Sequence, residues 1–436
     1  MARFGASAVL VGLAAALGLS GAAGATEWTL TTLYRFGGGT DGESPGVGPI
    51  ADGNGALYGT TFGNASNYRG TIYQLAPPAS AGGAWTEHVL LNFAGGHLGE
   101  YPEGGLVLMG GSLYGLTPGD GTAEDGMAYR LYPPAATHSD WRESVLYPFT
   151  EGDHPSSTLL HGKGNVLYGT GDDTNTYGSV FSFTPPAIAG GAWTESYLHL
   201  FSETGAEGYE PGWGVIADSA GALYGTTSSG SSAGYGAVYK LTPPTTADGT
   251  WTVSVLHAFQ GGTSDGATPQ GGLVMDSNGV LYGTTHSGGS NDFGTAFRLA
   301  PPAKSGGAWD YSVLYTFKGY TFGNTIYHDG AYPSGLILGA TGDLYGVTNA
   351  GGEVVQEMGF EGGNGTVFRL APPATSGGAW TETVLYRFTA GTDGFAPLGR
   401  LLLLHGALYG VTEQGGTAAK VGTPNGYGTV FKLTAP

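Results

Sequence analysis

One short pattern recurs seven times along this chain and constrains its fold more than any other feature. Trp28, Trp85, Trp141, Trp193, Trp251, Trp309 and Trp380 are each followed eight residues later by phenylalanine, from Phe36 through Phe388, and five residues later by leucine. A second marker, Leu-Tyr-Gly, places tyrosines at Tyr58, Tyr114, Tyr168, Tyr224, Tyr282, Tyr345 and Tyr409, with spacings of 56, 54, 56, 58, 63 and 64. Self-similarity at a fixed period is the mark of a repeat architecture. On a regular strand an even offset of eight puts Trp and Phe on one face and the leucine on the other. A strand apolar on both faces is expected to lie between two sheets.

Each unit holds four short β runs. One copy reads GGLVMD, a turn SNG, VLYGTT, a Gly-rich loop, GTAFRL, APPAKSGGA and WDYSVLYTF. Asn and Gly in DSNG and DGNG tolerate the positive φ of a tight hairpin. The Pro-Pro pair cannot donate to a sheet ladder and ends the third run. Seven four-stranded antiparallel units predict an all-β, seven-bladed β-propeller. The strands are lettered A to D from the axis outward: the GGL run, the LYG run, the VF-L run and the Trp strand. Residues 28–36 form a D strand with no A, B or C before it, and the chain ends on GTVFKLTAP, a C strand with no D after it. The two ends are therefore expected to pair and close the ring.

Composition bears on location and partners. The chain has 436 residues, with 84 Gly and 12% aromatic residues, so its glycine content reflects phased turns rather than disorder. Residues 1–25 read as a signal peptide, with Arg3, an apolar run VLVGLAAALGL and the small-residue site Ala23-Gly24-Ala25. Residues 26–436 then form one propeller domain, exported to the periplasm or the exterior and expected to be a monomer. With 15 basic against 34 acidic residues and no cysteine, the chain repels nucleic acid and lacks disulfides. No later stretch reaches the roughly 20 apolar residues of a membrane span.

The run GGLVMDSNGVLYGTTHSGGSNDFGTAFRL and its six relatives resemble the Gloeo/Verruco (GloVer) tandem repeat of exported bacterial proteins, over essentially the whole mature chain. The resemblance implies an exported repeat protein, often with a C-terminal sorting or anchoring tail, and no established enzymatic activity. Only TAP follows Leu433, so secretion in soluble form is the expectation.

Candidate site residues come from the D–A loops and from breaks in the repeat. Asp41, Asp265, Asp329 and Asp393 stand at matching loop points, with Glu207 near a fifth and Asp153 in a shortened loop; Leu98 replaces the acid once. A ring of carboxylates suits Ca²⁺ or sugar hydroxyls, while Asp before Gly also caps a turn through its own side chain. No other cofactor is implied. The loop FKGYTFGNTIYHDGAYP is enlarged and places Tyr327 and His328 beside Asp329, an aromatic face and a potential base. Neutral loop drift is the competing reading. Trp213 and Arg400 replace the usual small residues at the start of strand A, and Arg69 stands out in NYRGTIY. An arginine near an axis needs an anion. These residues predict a secreted protein that binds an extracellular ligand such as a glycan. Alternatives are a polysaccharide lyase or glycosidase on the same scaffold, with His328 or Tyr327 as base, and a structural cell-surface protein. His199 and His257 occupy the slot filled elsewhere by Tyr34, Tyr147, Tyr315 and Tyr386 and read as structural, and GSSAG at 230–234 as a chance match to a nucleophile motif.

Overall fold

A computed structural model describes residues 27–436 apart from 64–68, 81, 96–98, 120–125, 136–137, 150–152, 174–176, 189, 247–248, 305, 323–324, 353–362, 376 and 417–425. The residues it describes form seven antiparallel sheets in a seven-bladed β-propeller. Blade 4 shows the plain pattern: Val215–Ala217, Leu223–Thr227, Ala237–Thr242 and Thr252–Ala258 pair in chain order. In blade 3 the A strand is split into Asp153–Pro155 and Leu160–His161, both paired with Leu167–Asp173. In blade 6 the enlarged loop adds the strand Gly319–Phe322, which pairs back on Thr325–Leu338. Among the described residues, a 3-10 turn at Lys163–Asn165 interrupts the strands.

The ring closes by pairing of the chain ends. Thr29–Arg35 runs antiparallel to Thr429–Thr434, with Thr29 opposite Thr434 and Arg35 opposite Thr429. This N-terminal strand completes blade 7, whose other strands are Phe395–Leu404, Ala407–Gln414 and Thr429–Thr434.

One expectation about the D strand is corrected. Trp and Phe do not share a face. In all seven blades the register between C and D shifts once. The residue skipped is always the leucine five after Trp; Leu33, for example, falls between Thr32 opposite Phe431 and Tyr34 opposite Val430. A β-bulge adds one residue and inverts the alternation beyond it. Trp consequently faces the preceding blade and Phe the following one. Trp380 meets Tyr282 of blade 5, while Phe317 of blade 5 meets Phe368 of blade 6.

The core is accordingly distributed as seven clusters, one per seam between blades. The D-strand phenylalanines are almost wholly buried, each contributing about 1.5–3 kcal/mol by removing its ring from water. The Gly of Leu-Tyr-Gly makes room for an aromatic residue of strand C: a Cβ on Gly59 would lie 2.3 Å from the Tyr73 hydroxyl, and one on Gly410 would lie 2.5 Å from Phe431.

Candidate functional site

The D–A loops build the axial face from a repeated local device. After each D strand the loop turns, reaches a proline and descends into the A strand. In six of the seven loops the residue before that proline has positive φ, although it is not glycine: Ser44, Tyr101, Glu210, Thr268, Tyr332 and Ala396. Non-glycine residues occupy this region at a cost. The conformation aims the N–H at the preceding blade. Glu210 donates to the Tyr177 carbonyl at 3.0 Å, Thr268 to Tyr235 at 3.0 Å and Ser44 to Tyr427 at 2.9 Å. The following proline packs against the glycine that opens the neighbouring C strand, as Pro211 does on Gly178. Each loop is thereby fixed to the blade before it, and the residues flanking the proline are held around the axis.

These flanking residues, with the ends of the B strands, line a funnel of about 630 Å³ at the mouth of the central channel. Glu103, Asp172, Glu210 and Glu413 line it, together with Trp213, Phe62, Ser228, Ser229 and Gln270; no lysine or arginine is among its described lining residues. Trp213 is 37% exposed. Phe62, also exposed, stacks on Tyr101 with ring centroids 5.0 Å apart. The Glu210 carboxylate accepts from Ser228 Oγ at 2.8 Å and Ser229 Oγ at 2.6 Å.

Enclosure changes the acids. Burial, reinforced by the charge of Glu210, pushes Asp172 up to about 6. Ser156 and His154 pull it the other way, although Ser156 Oγ and Asp172 Oδ1 are both buried without completing a hydrogen bond. Burial likewise raises Glu103, with Asp172 adding to it and His154 opposing, and raises Glu413. Asp172 can therefore exchange a proton near neutral pH, and all four carboxylates can accept hydrogen bonds from hydroxyl groups. An aromatic face beside such acceptors is the usual composition of a site for a polyhydroxylated molecule.

The residues singled out in the sequence are distributed unevenly around this funnel. Trp213 lines both the funnel and the channel beneath it, and Arg400 lines the channel. Arg69 lies at the seam of blades 1 and 2, 3.3 Å from Glu100 and bonded to the Ala94 carbonyl. The D–A acids are engaged inside their own loops. Asp41 accepts from Tyr34 at 3.0 Å and from the N–H groups of Gly37 and Gly39; Asp393 accepts from Tyr386, and Asp329 from Tyr315 at 2.6 Å. His257 lies 3.1 Å from Asp265, and His199 the same distance from Glu207. The slot six after Trp and the loop acid thus form one pair, which explains why Leu91 and Leu98 appear together in the blade that lacks it. Among the described residues no group of three His, Asp or Glu side chains is arranged to hold a metal ion. Tyr327 and His328 belong to the strand Thr325–Leu338, with side chains outside the described residues, as is that of Asp153. The GSSAG segment forms a tight turn in which Gly230 bridges Gly234.

Glu103, Asp172, Glu210 and Glu413 were not singled out by sequence reasoning. Their signal was available: they stand beside the loop proline or three residues past the Gly of Leu-Tyr-Gly, at positions where other blades carry residues without a carboxylate, such as Thr268, Gln270, Phe62 and His286.

The Gloeobacter/Verrucomicrobia repeat model matches residues 22–215 and 212–436. No curated protein matches the chain. Solved structures of similar fold include a protein from Lactobacillus plantarum, at 16% identity and TM-score 0.50 over 87% of this chain and 98% of that one. A candidate 6-phosphogluconolactonase from Bacteroides uniformis matches at 14% and 0.50, over 81% and 88%. The PQQ-bound aldose sugar dehydrogenase of Streptomyces coelicolor matches at 14% and 0.42, over 94% and 98%. Among the described residues no helix is long and apolar enough to cross a membrane.

Proposed function

The chain belongs to the Gloeobacter/Verrucomicrobia repeat family, and we propose that it works as an exported propeller whose axial funnel binds a glycan. Export rests on the leader pattern of residues 1–25. The observation that carries the binding role is the funnel itself, where Trp213 stands exposed beside carboxylates and serine hydroxyls at the mouth of the axial channel, lined by residues of six blades. Blades repeat because each must pack on the next; the funnel acids differ from blade to blade, so blade packing does not account for them. A sugar ring laid on Trp213 would direct its hydroxyls toward Glu210 and Asp172.

Titration calorimetry against a panel of neutral and acidic oligosaccharides tests this reading. At least one member should bind, and Trp213→Ala should weaken it roughly tenfold or more, the worth of a stacked aromatic face. A panel without a binder, or a Trp213→Ala variant that binds as well as the native protein, would remove the support for the funnel.

A further inference from the structure

Below the funnel the axial channel opens into a second cavity of about 340 Å³. Its walls are largely glycine and aliphatic residues of the A strands, and its charged lining residues are Glu103, shared with the funnel, and Arg400. Arg400 is held in an unusual way. Its side chain leaves blade 7 and passes over blade 6 where Gly335 lacks a side chain; a Cβ there would lie 2.9 Å from Arg400 Cγ. The guanidinium then donates from Nη2 to the Leu273 carbonyl of blade 5, at 2.5 Å. The side chain is thus fixed across two seams with its planar end inside the channel.

Among the described residues no carboxylate forms an ion pair with Arg400. The residue is exposed within the channel, where water reaches it, and the neighbouring walls lower its pKa only through partial desolvation. A guanidinium offers five N–H donors in a planar fork, and Leu273 occupies one donor position. A cation presented inside a channel is a ready partner for an anion that enters it. The planar fork matches a carboxylate in bidentate geometry. A dianion such as phosphate fits less well, because it must pass four carboxylates at the mouth; a single negative charge carried on a hydroxylated ring meets less repulsion and keeps its hydrogen bonds to them.

We propose that Arg400 is the carboxylate-recognition residue of the axial channel, and that the glycan taken by the funnel is therefore a uronate-bearing one. The sugar ring lies on Trp213, its hydroxyls meet the funnel carboxylates, and its own carboxylate descends to Arg400. This inference rests on the funnel reading and adds the charge of the ligand to it.

The test uses matched probes on the full mature protein: neutral oligosaccharides carrying a single galacturonate or a single glucuronate, each beside its carboxyl-reduced neutral form. In calorimetry, one acidic form should bind at least about tenfold tighter than its reduced partner, the lower range for hydrogen bonds to a charged group. Arg400→Met should abolish that preference, so that the acidic and reduced forms bind alike. If Arg400→Met fails to fold, Arg400→Lys, which keeps the charge and loses the fork, should still cut the preference severalfold. Equal binding of acidic and reduced forms, or a preference that survives loss of the fork, overturns the assignment while leaving the funnel reading intact. If neither form of either pair binds the folded protein, the assignment also falls, and the neutral members of the wider panel decide the funnel reading separately.

Discussion

Replacing Gly178 by alanine places a methyl group between two blades. Gly178 opens the C strand of blade 3 with φ of 101°, and a Cβ built there would lie 2.3 Å from Cδ of Pro211, in the loop entering blade 4, and 2.9 Å from the Gly171 carbonyl oxygen. Neither neighbour has a rotamer through which to withdraw, since one atom belongs to a ring closed on the backbone and the other is backbone. Left-handed φ costs a non-glycine residue about 1–2 kcal/mol, and forced overpacking a further 1–3 kcal/mol or so. The expected loss is about 2–5 kcal/mol. With an unfolding entropy of about 2.1 cal/mol/K per residue over 436 residues, the melting temperature should fall by roughly 2–6 °C. Gly190→Ala supplies the control: its φ is 84° and no atom lies within 4 Å of the position of its Cβ, so only the backbone cost of about 1–2 kcal/mol applies. Scanning calorimetry of both variants separates the two contributions. Adding Pro211→Ala to Gly178→Ala removes the colliding ring and should recover part of the loss. The seam argument is refuted if Gly178→Ala melts no lower than Gly190→Ala, or if the double variant shows no coupling.

Two further outcomes follow from buried carboxylates. Burial raises Glu87, Glu143 and Glu382, on the D strands of blades 1, 2 and 6, to about 7. Asp41 reinforces the shift at Glu87, and Asp329 at Glu382, where Arg387 and Lys318 oppose it. A carboxylate raised in the folded state binds more protons there than in the unfolded chain between about pH 4.5 and 7, so stability is greatest at the acidic end and falls as pH rises through that window. Partial burial limits each contribution to the order of 1–2 kcal/mol; the melting temperature should be higher at pH 5 than at pH 8, and Glu143→Gln should flatten the dependence, whereas a profile rising with pH contradicts the assignment. Asp393→Ala removes the acceptor of Tyr386, Thr389 and Gly391 and should cost about 2–3 kcal/mol. Calcium should leave the native melting temperature unchanged, and a clear rise on adding Ca²⁺ would instead point to metal binding by these loop acids.

The blade count and the pairing of 28–36 with the C-terminal strand were legible because both follow from repetition, and repetition is visible without knowing any contact. The facing of Trp28 and Phe36 was not, because parity assumes an unbroken ladder. The bulge at Leu33 adds a residue to one strand only, and a leucine at that point looks the same with or without it. The funnel was legible in part. Trp213 and Arg400 stood out as bulky residues where glycine is usual, and both line the axial channel. Glu103, Asp172, Glu210 and Glu413 escaped notice for a physical reason: they come from different loop positions in four blades, and convergence on the axis, rather than spacing along the chain, brings them together. The attention drawn by inserted loops favoured length over position, although a residue beside a fixed proline is held more firmly than one in a long excursion.

The most direct measurement of the central claim is a crystal structure of the mature protein with the tightest-binding oligosaccharide from the panel. The account predicts a sugar ring stacked on Trp213 at the mouth of the channel, with hydroxyls within hydrogen-bond distance of Glu210 and Asp172. A ligand on the opposite face, or in the separate groove lined by Tyr235 and Asp292 between blades 4 and 5, with Trp213 left bare, would contradict it.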